Sequence, residues 1–242
     1  MYFVLSGEGN SDLGYSEEHP GVLVRLLEKL ANDISDEDFG YEFATRSDLA
    51  AKIPKDSDSS RKMLLRGNRR KYEFLITVQR QAEALARIAL DFDNTGAVFF
   101  HDCDYTQSEV NDAEKYYQQL VVSMEQGFNT VNYRNGVPMV PKPRSESWLL
   151  CHYQDTPYEN CARFEDLPAN DRAETSGKKQ LARFFNCRES QIYEHINIEE
   201  IDWAKIDAPS FMFFKNRFQH VVERLTGQRV TMPETATMMT KN

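Results

Sequence analysis

The sequence predicts an α/β protein, a mostly parallel sheet flanked by helices and followed by a helical C-terminal extension. Three observations predict it. Short apolar runs alternate with helix-length amphipathic segments through the first part of the chain, the pattern of strand–helix–strand units. The run Ala97-Val98-Phe99-Phe100 is apolar without interruption, as a strand covered on both faces must be. Beyond Pro143 the periodicity becomes mainly helical.

Taken in order, Tyr2 to Leu5 reads as a first strand, ended by a glycine loop. A helix is expected from Pro20 to Asn32, because proline suits a first helical turn and Val22, Leu23, Leu26, Leu27 and Leu30 fall on one face. Tyr41, Phe43 and Thr45 alternate as in a strand. Asp56 to Ser60 is a polar loop. A long helix follows from Arg70 to Leu90, then the buried strand at 97–100, a helix from Ser108 to Gln126 and an extended stretch at Asn129–Tyr133. Glu146–His152, Lys178–Phe185 and Phe211–Leu225 are the later helices, the last with a Phe-rich core face. This divides the chain into an α/β core over 1–150, a helical extension over 151–229 and a disordered tail over 230–242.

The composition, 40% hydrophobic and 28% charged over 242 residues, is that of a globular protein with a sizeable core. No stretch of about 18 uninterrupted apolar residues occurs, so no membrane span is expected. Met1 to Ser6 reads as a strand and not as a signal peptide. The four scattered cysteines form no CxxC pair, which favours reduced thiols in a cytoplasmic protein. A net charge of −9 disfavours indiscriminate binding to phosphate backbones. The basic residues are uneven, however: Arg61, Lys62, Arg66, Arg69, Arg70 and Lys71 cluster without an acid between them, as at a solvated helix end.

Three constellations carry chemistry. Gly7-Glu8-Gly9 follows the first strand, placing a carboxylate at the strand's C-terminal end, where ligands collect in open α/β sheets. Glycines on both sides allow backbone to approach a phosphate or metal closely. His101-Asp102-Cys103-Asp104 follows the buried strand. Residues two apart point the same way in extended chain, so both aspartates can face one cation, while His101 and Cys103 turn into the core. Crowded carboxylates resist ionisation unless a cation neutralises them, and Mg²⁺ takes one or two carboxylates with water and phosphate oxygens. Third, Arg144-Ser145-Glu146 opens a helix, with Ser145 as a cap and Glu146 favourable in the first turn. Lys142, Arg144 and Lys178 are the expected phosphate contacts.

Gly-Glu-Gly after strand one, then Asp-x-Asp after a central strand, resembles the TOPRIM signature shared by topoisomerases, primases and the overcoming-lysogenization-defect nucleases. Arg144-Ser-Glu-Ser-Trp-Leu-Leu150 is similar to a Glu-x-Trp-Leu element of small bacterial TOPRIM-like proteins, often encoded near ATPases in anti-phage loci. The resemblance covers 1–150 by motif, and beyond it rests on Ser176-Gly-Lys-Lys179 and the Phe-rich last helix. It implies a Rossmann-like sheet and a nuclease acting on DNA or RNA. Glu8, Asp102 and Asp104 would be catalytic and hold Mg²⁺ or Mn²⁺, with Glu146 as a further ligand. The implied partners are nucleic acid and an ATPase; a homo-oligomer is compatible with the sequence, which does not fix the oligomeric state. One departure is Ser11-Asp12, where the family has Thr/Ser-Glu. A topoisomerase is not expected, since it needs a nucleophilic tyrosine in a large accessory domain.

Two other classes compete. Asp102-Cys-Asp-Tyr-Thr106 also matches the opening of haloacid-dehalogenase-like phosphatases, with Asp102 as nucleophile, but the motif lies late in the chain and no downstream acidic pair follows a suitable strand. An acidic surface also suits a non-catalytic regulatory or binding subunit of a defence complex.

Overall fold

The apolar N-terminal run becomes β1 (Tyr2–Gly7), and the sheet is built around it. In this computed structural model, which describes residues 1–8, 10–16, 18–53, 69–104 and 113–227, β1 pairs in parallel with β4 (Gly40–Phe43) on one side and β5 (Thr95–Phe100) on the other. β5 pairs in parallel with β6 (Gly136–Met139), giving the order β4-β1-β5-β6. The expected loop at Asp56–Ser60, Arg61, Lys62 and Arg66 of the basic cluster, the predicted helix start at Ser108 and the tail beyond Val230 lie outside the described residues.

Strand alternation sorts the core into two layers. Phe3, Leu5, Val98 and Phe100 face α2 (Val22–Ile34) and α9 (Pro209–Leu225). Val4, Ala97 and Phe99 face α4 (Arg69–Ala89) and α5 (Ala113–Thr130). β5 is buried at all six positions, as its unbroken apolar run predicts. Residues after 150, including Cys161, Leu181, Ile192 and Trp203, belong to the same hydrophobic cluster as Phe3 and Leu5.

α6 (Glu146–Leu150) is short, so packing and not helix propensity must fix it. Trp148, 1% exposed, meets Phe211 edge-on at 5.2 Å and stacks on Phe214 at 5.4 Å, and its Nε1–H donates to Ser210 Oγ at 2.9 Å. Pro209 begins α9, where its missing N–H costs nothing. The Glu165 carboxylate accepts from Ser210 N at 2.7 Å and so satisfies one of that helix's unpaired amides.

Several elements differ from the sequence reading. Pro20 is not the first turn of a helix: His19–Pro20 is β3, antiparallel to β2 (Gly14–Ser16), and α2 starts after the N-cap Gly21. Gly21 N donates to Leu13 O at 3.0 Å, and a Cβ at Gly21 would lie 2.2 Å from Asp12 O, so the chain closes tightly there. The stretch 129–133 is not extended. It is the end of α5 and a turn with Asn132 at φ 55°, and the fourth strand lies later, at β6. Pro138 disguises β6, and it is tolerated because β6 is an edge strand. α3 (Arg46–Lys52) was not expected. A capping box makes it, with Thr45 Oγ1 accepting from Asp48 N and Asp48 accepting from Thr45 N. Finally, the cysteines are not all thiols: Cys151 and Cys161 form a disulfide, Cα–Cα 4.8 Å, while Cys103 and Cys187 are free. Successive turns after α6 bring this pair together, which spacing alone does not reveal.

Replacing Trp148 by Ala is expected to cost about 3–5 kcal/mol, the range for a buried aromatic. Val122→Ala, at a side 47% exposed, should stay within about 0.5 kcal/mol. Urea unfolding of the two variants checks this, and equal midpoints would contradict the packing described.

Candidate active site

The site forms where β1 and β5 end. Gly7 lies so close to β5 that a Cβ would sit 2.3 Å from Phe100 O, and Glu8 N donates to that carbonyl at 3.3 Å. Gly9 lies outside the described residues. After β5 the chain continues extended, with His101 N bonded to Met139 O and Cys103 N to Pro141 O. Cys103 turns into the α4/α5 core, fully buried, as alternation requires.

On the other face an inner group of three carboxylates gathers. Asp12 comes from α1 (Asn10–Leu13), Asp102 from the end of β5 and Glu146 from the first turn of α6. Asp12 is 8% exposed and Glu146 4%. Ser145 joins two of them: its N–H donates to Asp102 Oδ1 at 3.2 Å and its Oγ–H to Asp12 Oδ1. Tyr193, on α8 (Ile192–His195), donates to Glu146 Oε1 at 3.0 Å and approaches Asp12 Oδ1 at 3.4 Å. Burial holds the Asp102 carboxyl well above the usual aspartate range, and the charges of Asp12 and Glu146 push it further. Burial, then Asp12, raises Glu146 likewise. Burial also drives the Tyr193 hydroxyl far up, so it remains a donor.

An outer pair of contacts surrounds this group. Glu8 meets His101 Nε2 at 3.1 Å, and His101 Nδ1 lies 2.7 Å from Asp102 O. A carbonyl can only accept, so Nδ1 carries a proton, and a second proton lies between Nε2 and Glu8. The hydrogen bond from His101 lowers the Glu8 carboxyl against the opposing effect of burial. Burial, the largest single influence, would lower His101, but the bond to Glu8, the Glu8 charge, the Asp102 carbonyl and the Asp104 charge together outweigh it and the imidazole is raised. His101 therefore does not simply fill the core, as alternation had predicted; β5 has ended at Phe100, and its ring reaches back to the neighbouring strand end. Asp104, raised by burial, is held by Arg144 Nη2 at 2.7 Å.

The three expected phosphate-binding cations divide. Arg144 lies at the site but is committed to protein partners, giving Nη1 to Asp171 at 3.2 Å and Nε to Ala169 O at 2.9 Å besides Asp104. Lys178, in the first turn of α7 (Gly177–Phe185), acts on Glu146 as a nearby positive charge. Lys142 is a correction. It is 7% exposed and donates to Glu114 Oε2 on α5 at 2.6 Å, turned to the face away from the carboxylates. Ser145 is another: its hydroxyl caps no helix and goes to Asp12 instead.

The donors suit a hard cation in kind, being carboxylate oxygens beside a hydroxyl. Among the described residues, though, no three His, Cys, Asp or Glu side chains are arranged as a ready-made coordination sphere. Each carboxylate is instead engaged by His101, Arg144, Ser145 or Tyr193.

Asp12, Ser145, His101 and Tyr193 are the site residues that sequence reasoning missed or set aside. Asp12 had a signal, four positions after Glu8 in the same motif. Tyr193 had none, because it arrives from a distant short helix.

The raised carboxyls set a testable balance. At these groups the folded chain holds protons at a pH where the unfolded chain has lost them, so their contribution to stability falls as pH rises above 3.8, the ordinary aspartate value. Asp102→Asn removes that cost and retains an acceptor for Ser145 N–H. Without added metal at pH 7 it is expected to raise the Tm by on the order of 2–4 °C, the shift given by about 1 kcal/mol in a chain of this size. The gain should vanish as pH approaches 3.8. Scanning calorimetry across pH measures it, and a variant less stable than wild type at pH 7 contradicts the electrostatics.

No protein-family model, no curated protein and no solved structure matches the chain, so what its site can do is read from its own residues.

Proposed function

We propose that the chain is a Mg²⁺- or Mn²⁺-dependent phosphodiester hydrolase that acts on nucleic acid, DNA or RNA. The observation that carries this reading is the gathering of Asp102 with the buried Asp12 and Glu146 at the C-terminal edge of a parallel sheet, where the charges of Asp12 and Glu146 raise the cost of ionising Asp102. A divalent cation offsets that cost and brings phosphate with it. Asp102, Asp104, Glu8 and Glu146, with Asp12 added, are the residues that would hold it. When bound, such a cation acidifies a coordinated water and neutralises charge on the phosphate oxygens.

The chain's own residues contribute orientation and charge. Ser145 fixes Asp102 and Asp12, and His101 fixes Glu8. Arg144 places a guanidinium beside Asp104, with the planar fork that matches phosphate. Lys178 places an ammonium near Glu146. Lys142 has no part in the proposal. The TOPRIM resemblance extends it to a cytoplasmic anti-phage role beside a partner ATPase.

One observation favours a second reading. Engagement of the carboxylates by protein donors also suits a non-catalytic regulatory subunit. The phosphatase alternative is disfavoured, because burial and the Ser145 N–H leave Asp102 poorly placed as a nucleophile.

Purified protein is expected to cleave nucleic acid with Mn²⁺, and Asp12→Asn, Asp102→Asn and Asp104→Asn should each lose at least ~100-fold in rate, about 2.7 kcal/mol. Mn²⁺ should also raise the Tm of wild type and not of Asp102→Asn. Wild-type cleavage rates in Asp102→Asn would sink the proposal. Inactivity with no Mn²⁺-induced stabilisation would leave the regulatory reading in its place.

A further inference from the structure

Among the cavities bounded by described residues, one of about 610 Å³ lies away from the carboxylates, between the end of α6 and the outer part of α7. It shares both helices with the site. Leu150 lines it four residues after Glu146, about 6 Å along α6. Gln180, Arg183 and Phe184 line it from α7, whose first turn carries Lys178. The cavity and the carboxylate group are thus joined by the same two helices.

The lining has the chemistry of base recognition. Phe184 is 47% exposed although it is a large aromatic, with its inner side supported by Tyr153 at 5.7 Å and Phe185 at 5.3 Å. That is a ring fixed from behind and open in front. Asn160 and Gln180 contribute amides to the wall, groups that can both donate to and accept from a base edge. Gln180 gives its Nε2–H to Thr175 O at 2.7 Å, which orients its carbonyl.

The charges of the lining exclude a different occupant. Arg163 and Arg183 are opposed there by Asp155 and Glu159. Arg163 lies over Phe164 at 4.8 Å and donates to Gln154 at 2.6 Å, and Arg183 bonds Glu174 at 3.0 Å. With cations and anions balanced, the interior suits an uncharged heteroaromatic ring and not a phosphate. The phosphate stays outside, and Arg183, 60% exposed along its side chain, stands at the rim.

We propose that this cavity is a nucleobase subsite: an unpaired nucleotide flanking the scissile phosphodiester stacks on Phe184 while Gln180 and Asn160 meet its edge. The inference rests on the phosphodiesterase reading and deepens it by naming the substrate class, a single-stranded or locally unpaired nucleic acid. Duplex bases are already stacked and cannot enter.

The test pairs a fluorescent single-stranded oligonucleotide, followed by anisotropy, with an abasic oligonucleotide of the same length, a phosphodiester chain without bases. Phe184→Ala should weaken oligonucleotide binding roughly 5- to 100-fold, as the loss of one stacking platform does. Phe184→Trp should restore it, and Mn²⁺-dependent hydrolysis of the base-free diester should be unchanged in both. The subsite is overturned if wild type binds duplex as tightly as single strand, if Phe184→Ala binds like wild type, or if both substrates suffer equally. Should wild type leave both the oligonucleotide and the base-free diester intact with Mn²⁺ while its oligonucleotide binding still depends on Phe184, the hydrolase reading falls and the subsite stands.

Discussion

Ser145 is the constraint on which the site depends. One residue, 1% exposed, gives its backbone N–H to Asp102 and its hydroxyl to Asp12. The two carboxylates come from different parts of the chain and repel each other in a medium that screens poorly. Hydrogen bonds to charged acceptors are among the stronger ones available to offset such repulsion. That bridge joins α1 directly to the end of β5.

The bridge is only as firm as its anchorage. Ser145 directly precedes α6, a helix too short to be stable alone, which is held through Trp148 against Phe211, Phe214 and Ser210 of α9. Ser210 is fixed in turn by Glu165. The aromatic core of the C-terminal half thus sets the position of carboxylates that belong to the N-terminal half. On the sheet side, Gly7 brings β1 against Phe100 closely enough for Glu8 to lie within reach of His101. Packing and electrostatics here are one arrangement: the apolar layer supplies the rigidity that an unfavourable collection of charge requires.

The partners of the acids also indicate how the site could respond to a ligand. Arg144 and His101 are positive partners held at the edge of the group, and each engages a carboxylate more exposed than Asp12 or Glu146. A cation entering the group competes with these contacts, and a phosphate arriving with it offers Arg144 a new anion. The inner contacts, from Ser145 and Tyr193, need not break. Such a division between a fixed inner shell and an exchangeable outer one is what a site needs if it is to stay folded without its ligand.

The sequence by itself determined the parts governed by local periodicity and composition. The run at 97–100, the leucine face of α2 and the phenylalanine face of α9 each announce burial, because an apolar stripe must be covered wherever it lies. The acids at 8, 102 and 104 were legible for the same kind of reason, each standing directly after an apolar strand. Only the tertiary structure decided which acids meet. Asp12 enters because a hairpin at 14–20 and the close approach of Gly21 fold α1 back onto the sheet, and Tyr193 enters from a remote helix. It also turned Lys142 away towards Glu114 and brought His101 to Glu8. A side chain's partner is set by what packs across from it, and that information is spread over the whole chain and not held in its neighbours.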